Sequence, residues 1–419
     1  MQTTLLITIF AVGYLAIILE HFIKVNKAAV AICMAVLAWA VFFLMQPTTL
    51  QLNMSHLNEH TAAIAQIVFF LLGAMTIVEL VDAHKGFKLI TDLVHTTSRR
   101  KMIWLISLST FFLSAILDNL TTTILMVSLL RKIIPETKDR LLFCSLVVVA
   151  ANAGGAWTPI GDVTTTMLWI NGQISSWATM KSLFLPSIVS LILPLLYFTF
   201  KLKGPLARPD KSLDTSQEPA APLVLTLGLA GLISVPLFKA WTGLPPFMGI
   251  LISLSILWLV TDGLHFAYAD TRKHLRIPHI LSKIDISGVL FFLGILLAVA
   301  ALESAGILQL LAAQLNRYIS SLAVLSTSIG IISAIIDNVP LVAATMGMYS
   351  LDQFPTDHPL WQMIAYAAGT GGSLLIIGSA AGVALMGMEK IDFLSYMKRM
   401  TLPVLVGYLA GIGVYLLAA

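Results

Sequence analysis

Twelve apolar stretches, most of them free of Lys, Arg, Asp and Glu, limit what this chain can become. They lie at about residues 3–19, 28–45, 62–81, 102–130, 141–170 and 182–200, then 222–238, 245–261, 286–302, 319–349, 361–387 and 401–418. Roughly 20 apolar residues in a helix cross the hydrocarbon core of a bilayer. In lipid each spanning segment must satisfy its backbone polar groups internally, which leaves helices and closed barrels. Strict polar/apolar alternation, the barrel signature, is absent. Of 419 residues 58% are hydrophobic and 11% charged, and mean hydropathy is +0.91, values that exclude a soluble domain of this length. The expected class is an all-α polytopic membrane protein.

The net charge of +4 does not point to nucleic acid, because the basic residues sit in short loops, where they mark the cytoplasmic side. Cys33 and Cys144 fall within apolar spans, so neither a disulfide framework nor a metal cluster is expected. Residues 3–19 lack a preceding basic segment and a small-residue cleavage site, so they read as a first membrane helix.

Between the two sets of spans runs a polar, proline-containing stretch from Lys201 to Pro222. It divides the chain into a first transport repeat at 1–203, a cytoplasmic linker at 204–221 and a second repeat at 222–419. Basic clusters at Lys24/Lys27, Lys85–Lys101, Arg131–Arg140, Lys201–Lys211, Arg272–Lys283 and Lys390–Arg399 mark one face, while loops 46–61, 171–180 and 351–360 are nearly free of Lys and Arg. On that map 102–130 carries basic clusters at both ends and 319–349 at neither. A single crossing violates the charge rule, whereas a re-entrant hairpin satisfies it in both halves. Five spans and one hairpin per half then remain, and an odd span count turns the second half upside down, an inverted repeat.

Motifs support the same division. Ser114-Ala-Ile-Leu-Asp118-Asn119 and Ser333-Ala-Ile-Ile-Asp337-Asn338 differ at one position and fall at the hairpin tips. Residues 150–164, which contain Asn152, Gly154, Gly155, Thr158, Pro159, Gly161 and Asp162, align without gaps to residues 367–381. Glu79 and Glu303 each close the span before a hairpin. A carboxylate within hydrocarbon costs several kcal/mol and is rarely kept without a use. The glycines and proline of the 150–164 block favour a helix break at the midplane, where freed backbone groups line transport sites.

Asp118, Asp162 and Asp337, with the amides of Asn119, Asn152 and Asn338, form a set of hard oxygen donors suited to an alkali cation, with Na⁺ expected at the three aspartates. Ser114, Ser333, Thr121, Thr158, Thr164, Thr165, Thr370, Ser373 and Ser379 are supporting hydroxyls. A buried carboxyl is pushed toward its protonated form and a bound cation opposes this, so Na⁺ and H⁺ compete for one group. Ser379 stands where the first half has Asp162, so the first half is expected to carry more of the cation affinity. Plainer readings exist for each feature. The glycines can serve close helix packing, the Asp-Asn pairs can be turns, Ser114 and Ser333 can bond back to helix carbonyls, and Glu79 and Glu303 can snorkel to the interface. Asn53-Met-Ser55 matches a glycosylation sequon, a motif common by chance.

On these residues the chain resembles the ion transporter superfamily, and most of all the NhaD-type sodium/proton antiporters. The resemblance covers nearly the whole length and rests on the two Asp-Asn tips and the block from Ala151 to Thr165. It implies electrogenic exchange of Na⁺ or Li⁺ for protons by alternating access, elevator-like motion, no cofactor, a homodimer and a bacterial inner (plasma) membrane. The dicarboxylate and citrate branch carries a neutral Ser-Asn-Thr triplet at its tips. Asp118 and Asp337 depart from it, and two fixed anions repel a carboxylate substrate. An arsenite or di/tricarboxylate carrier of the same fold is the first alternative. An intramembrane aspartyl protease is a remote one, since its Tyr-Asp and Gly-x-Gly-Asp contexts are missing.

Overall fold

The computed structural model of the protein describes residues 2–45, 50–91, 96, 98–202, 204–206, 220–265, 275–319 and 321–418. Its regular structure there is helical. The first half contains α1 (Gln2–Ile18), α2 (Glu20–Ile23), α3 (Lys27–Met45), α4 (Leu50–Ala83), α5 (Lys88–Thr91), α6 (Arg99–Leu117), α7 (Asn119–Ile133), α8 (Thr137–Gly155), α9 (Val163–Ile170) and α10 (Ser176–Lys201). The second contains α11 (Ala221–Thr242), α12 (Pro246–His265), α13 (Ile277–Leu281), α14 (Ile286–Ser304), α15 (Ile307–Tyr318), α16 (Leu322–Ser333), α17 (Asn338–Met348), α18 (Pro359–Gly371), α19 (Ala380–Glu389) and α20 (Phe393–Ala418). Among the described residues eight helices are long and apolar enough to cross a membrane on their own. The chain is a multi-pass, all-α membrane protein. Most of the linker assigned to 204–221 lies outside the described residues.

Two kinds of interruption recur. In the first, a helix stops at an Asp and a new one starts. Asp118 takes φ 86°, a left-handed conformation that few non-glycine residues adopt, and so ends α6 and caps α7. In the second half α16 stops at Ser333, a short turn follows, and Asp337 caps α17. The arms α6 and α7 pack on each other and on α8, while α16 and α17 pack on each other and on α18. In the second kind, a span breaks and resumes, from α8 to α9 across 156–162 and from α18 to α19 across 372–379.

The remaining long helices pack mainly across the division of the chain. α3 lies on α14, α4 on α12, and α10 along α20. Hydroxyls and rings fill these seams, such as Trp39, whose Nε1 donates to the Leu297 carbonyl at 2.9 Å.

Two elements depart from the sequence reading. The loop drawn at 46–61 is helical from Leu50, because α4 extends about three turns past its apolar run and buries Asn53. An Asn only 2% exposed within a helix is no glycosylation acceptor. Second, residues 307–318, left unassigned, form the amphipathic α15, which buries Leu308 and Ala312, leaves Leu310 and Leu311 exposed, and turns through 119° into α16.

Candidate cation site

The backbone of the two breaks explains why glycines stand where they do. A Cβ on Gly154 would lie 2.1 Å from the Phe111 carbonyl oxygen, and one on Gly371, its aligned position, 2.2 Å from that of Gly330. Likewise a Cβ on Gly161 would meet the Ser114 carbonyl oxygen at 2.8 Å, and one on Gly378 that of Ser333 at 2.7 Å. Each broken span is thus seated against its hairpin, backbone on backbone, at matching points. Two serines fix the seat. Ser114 Oγ donates to the Ala151 carbonyl at 2.6 Å and Ser333 Oγ to that of Ala368 at 3.0 Å. Thr158 Oγ1 adds a bond to the Ala115 carbonyl at 2.7 Å.

Within this frame the polar side chains converge unequally. Asp118 accepts from the Thr121 backbone N–H and from Thr121 Oγ1, both at 2.8 Å. Next to it, buried Asn119 donates through Nδ2 to Asp162 Oδ2 at 2.7 Å and to Asn152 Oδ1 at 3.0 Å. Asp162 caps α9, its other oxygen accepting from the N–H and hydroxyl of Thr164, each at 3.0 Å. Asn152 is the hub. Its Nδ2 donates to Ser373 Oγ and Ser379 Oγ, both at 2.9 Å, and so ties the first break to the second. Ser379 caps α19 as Asp162 caps α9, with φ −149° and −144° at the two positions.

The second half is poorer in bonds. Asp337 accepts from the Val339 N–H at 3.2 Å. Asn338 is 3% exposed and its Nδ2 has no partner, since Gly369 stands where Asn152 would supply one. Thr165 and Thr370 spend their hydroxyls on backbone carbonyls, at Asp162 and Tyr366.

A cavity of about 320 Å³ opens onto the two tips. It is lined by Asp118, Asn119, Thr121 and Asp337, by Phe70 and Met75 of α4 and Phe291 of α14, and at one end by Glu20, Lys27 and Asp285. That end adjoins the basic pair Lys24/Lys27. Asp162 is 2% exposed and stands behind Asn119 rather than on the cavity wall. Among the described residues no three His, Cys, Asp or Glu side chains gather closely enough to hold a metal ion. The three aspartates therefore form a shared cavity with a hydrogen-bonded reserve, not one coordination cluster.

No signal in the residue pattern marks the clamp below the site. Glu389 ends α19 with its side chain 2% exposed and accepts from Arg131 Nε at 2.7 Å and Arg140 Nε at 2.9 Å, joining the basic-side ends of α7, α8 and α19. Nor did it flag Lys239 of α11, whose Nζ donates to the Trp169 carbonyl at 3.0 Å and lies 4.7 Å from the Trp169 ring centre. In sequence Lys239 reads as a span-end charge, and Glu389 is not among the candidate residues.

Residues 14–363 match the citrate transporter family, CitMHS. Sodium/proton antiporter 1 of Arabidopsis thaliana is 52% identical over 418 residues, covering 99% of this chain and 72% of that protein. Sodium/proton antiporter 2 of the same plant is 49% identical over 418 residues, covering 97% of this chain and 98% of the relative. The Na(+)/H(+) antiporter NhaD of Vibrio cholerae is 30% identical over 439 residues, covering 98% and 90%. With that coverage the chain belongs to the CitMHS transporter family and, within it, to the NhaD-type sodium/proton antiporters.

Proposed function

We propose that this protein exchanges Na⁺ or Li⁺ for protons by alternating access, with Asp118 and Asp337 as the groups that carry cation or proton. The observation that supports this most is their meeting in one cavity, each at the start of a hairpin's second arm. A cation entering the cavity meets two carboxylates, amide oxygens and hydroxyls. When the cation leaves, protons take its place on the same carboxyls, so Na⁺ and H⁺ compete for one site. Asp162, held by Asn119 and Thr164, adds negative charge behind the site. The relatives' names favour the same reading. The inverted relation of repeats 1–203 and 222–419 supplies the second state, since exchanging the two halves' conformations closes one face and opens the other.

The family's citrate name favours an anion carrier as the second reading. Two carboxylates on the cavity wall oppose it, since a citrate would meet like charge at close range. Proteoliposomes decide: NaCl or LiCl should dissipate an imposed pH gradient, whereas accumulation of citrate or arsenite with no response to Na⁺ would replace the antiporter reading. A homodimer, carried over from the resemblance, is tested by crosslinking in native membranes. NhaD relatives favour a bacterial inner membrane and the plant relatives a eukaryotic one, a choice that fractionation of the source cells resolves.

A further inference from the structure

A second cavity, of about 210 Å³, lies on the opposite side of the same seam. Its polar wall is Glu303 of α14, His60 of α4, and Asn171 and Gln173 just past α9. These residues adjoin loops with almost no Lys or Arg, whereas the first cavity opens beside Lys27 and Asp285. The two cavities use the same helices. On α4 Phe70 lines the first and Ile67 the second, and on α14 Phe292 lines the first and Leu296 the second. Three or four residues along a helix is about one turn, or ~5 Å. On α9 the neighbours Thr166 and Met167 divide between them. A partition about one turn thick, mostly of apolar side chains, thus separates the aspartate cavity from a polar pocket on the far face.

Glu303 makes this pocket more than a packing gap. It is half-buried at the end of an apolar helix, and no Lys or Arg among the described residues pairs with it. A carboxylate there with no Lys or Arg beside it, faced by His60 of α4, is costly and marks an ion path more often than a structural feature. It also abuts the second arm of the Asp337 hairpin. A Cβ on Gly347, near the end of α17, would lie 3.0 Å from Glu303 Oε2, and α17 is the helix that starts at Asp337.

We infer that this pocket is the far-side port of the transport path, with Glu303 drawing the cation in and His60, Asn171 and Gln173 forming the polar surround. The inference rests on the antiporter reading above. In a background with Cys33 and Cys144 replaced by Ser, Glu303→Cys should react with membrane-impermeant thiosulfonates added on the face of loop 171–180 and not from the Lys27 face. The cationic ethylammonium adduct should lower Na⁺-driven proton movement at sub-saturating Na⁺ by about tenfold, the low end of what focused charge does to local ion concentration. The anionic ethylsulfonate adduct should restore it toward the rate of Glu303→Asp. Equal rates with the two adducts, or no reaction from that face, would overturn the port. If Glu303→Cys does not fold, Glu303→Gln against Glu303→Asp supplies the comparison, and equal activity of those two variants at sub-saturating Na⁺ would overturn it as well. A cysteine-free parent that moves no protons in response to Na⁺ would instead count against the antiporter reading.

Discussion

Asn152 shows what a single side chain does here. It receives Asn119 through its oxygen and reaches Ser373 and Ser379 through its nitrogen, so the two breaks share one amide. Asn152→Ala leaves buried polar partners unpaired, at about 1–3 kcal/mol, and should lower the thermal midpoint in detergent. A midpoint equal to wild type would mean that the network adds no stability. Asp118 and Asp337 were legible as candidates because two hexapeptides that differ at one position lie inside apolar runs. Asn152 was legible as an oxygen donor, but its role as hub was not, since its partners lie 221 and 227 residues away. Asn338 illustrates the reverse. Its motif matches that of Asn119, yet with Gly369 opposite it the repeat supplies no acceptor.

At the scale of elements, the breaks are set by contacts that leave no room for a methyl group. Gly154→Ala and Gly371→Ala each drive a Cβ into a backbone carbonyl, which cannot rotate away. Overpacking costs typically ~1–3 kcal/mol and more where backbone must shift. Both variants should express as less stable protein, whereas Gly413→Ala, with nothing within 4 Å of the added atom, should unfold like wild type. Equal midpoints for all three would remove the backbone seat from the account. The clamp is testable in the same way. Glu389→Gln leaves Arg131 and Arg140 without their carboxylate, and partial exposure of both arginines keeps the expected loss to about 1–3 kcal/mol. Long apolar helices and Gly-Pro breaks could be read directly from the chain. The polar start of α4 and the amphipathic α15 could not, because neither has a continuous apolar run to announce it.

Across the whole molecule, two cavities lie on one seam, the aspartate cavity toward the basic loops and the Glu303 pocket away from them. Competition between Na⁺ and H⁺ fixes the direction of its pH response. As pH rises fewer protons compete with Na⁺, so the Na⁺ concentration for half-maximal exchange should fall, by about tenfold per pH unit while one proton is displaced. A half-saturation constant that rises with pH, measured by Na⁺-driven pH change in vesicles, would reverse the assignment. The charge map of the loops leads to the expectation of hairpins entering from opposite faces. It could not foresee that their tips share one cavity, which depends on packing between residues more than two hundred positions apart.

The most direct test follows proton release when Na⁺ is added to purified protein in weakly buffered detergent solution with a pH indicator. The wild-type protein should release protons in a saturable way, and Asp118→Asn and Asp337→Asn, folded and monodisperse, should each lose that release. Undiminished release from both variants would place the exchange of cation for proton elsewhere in the molecule.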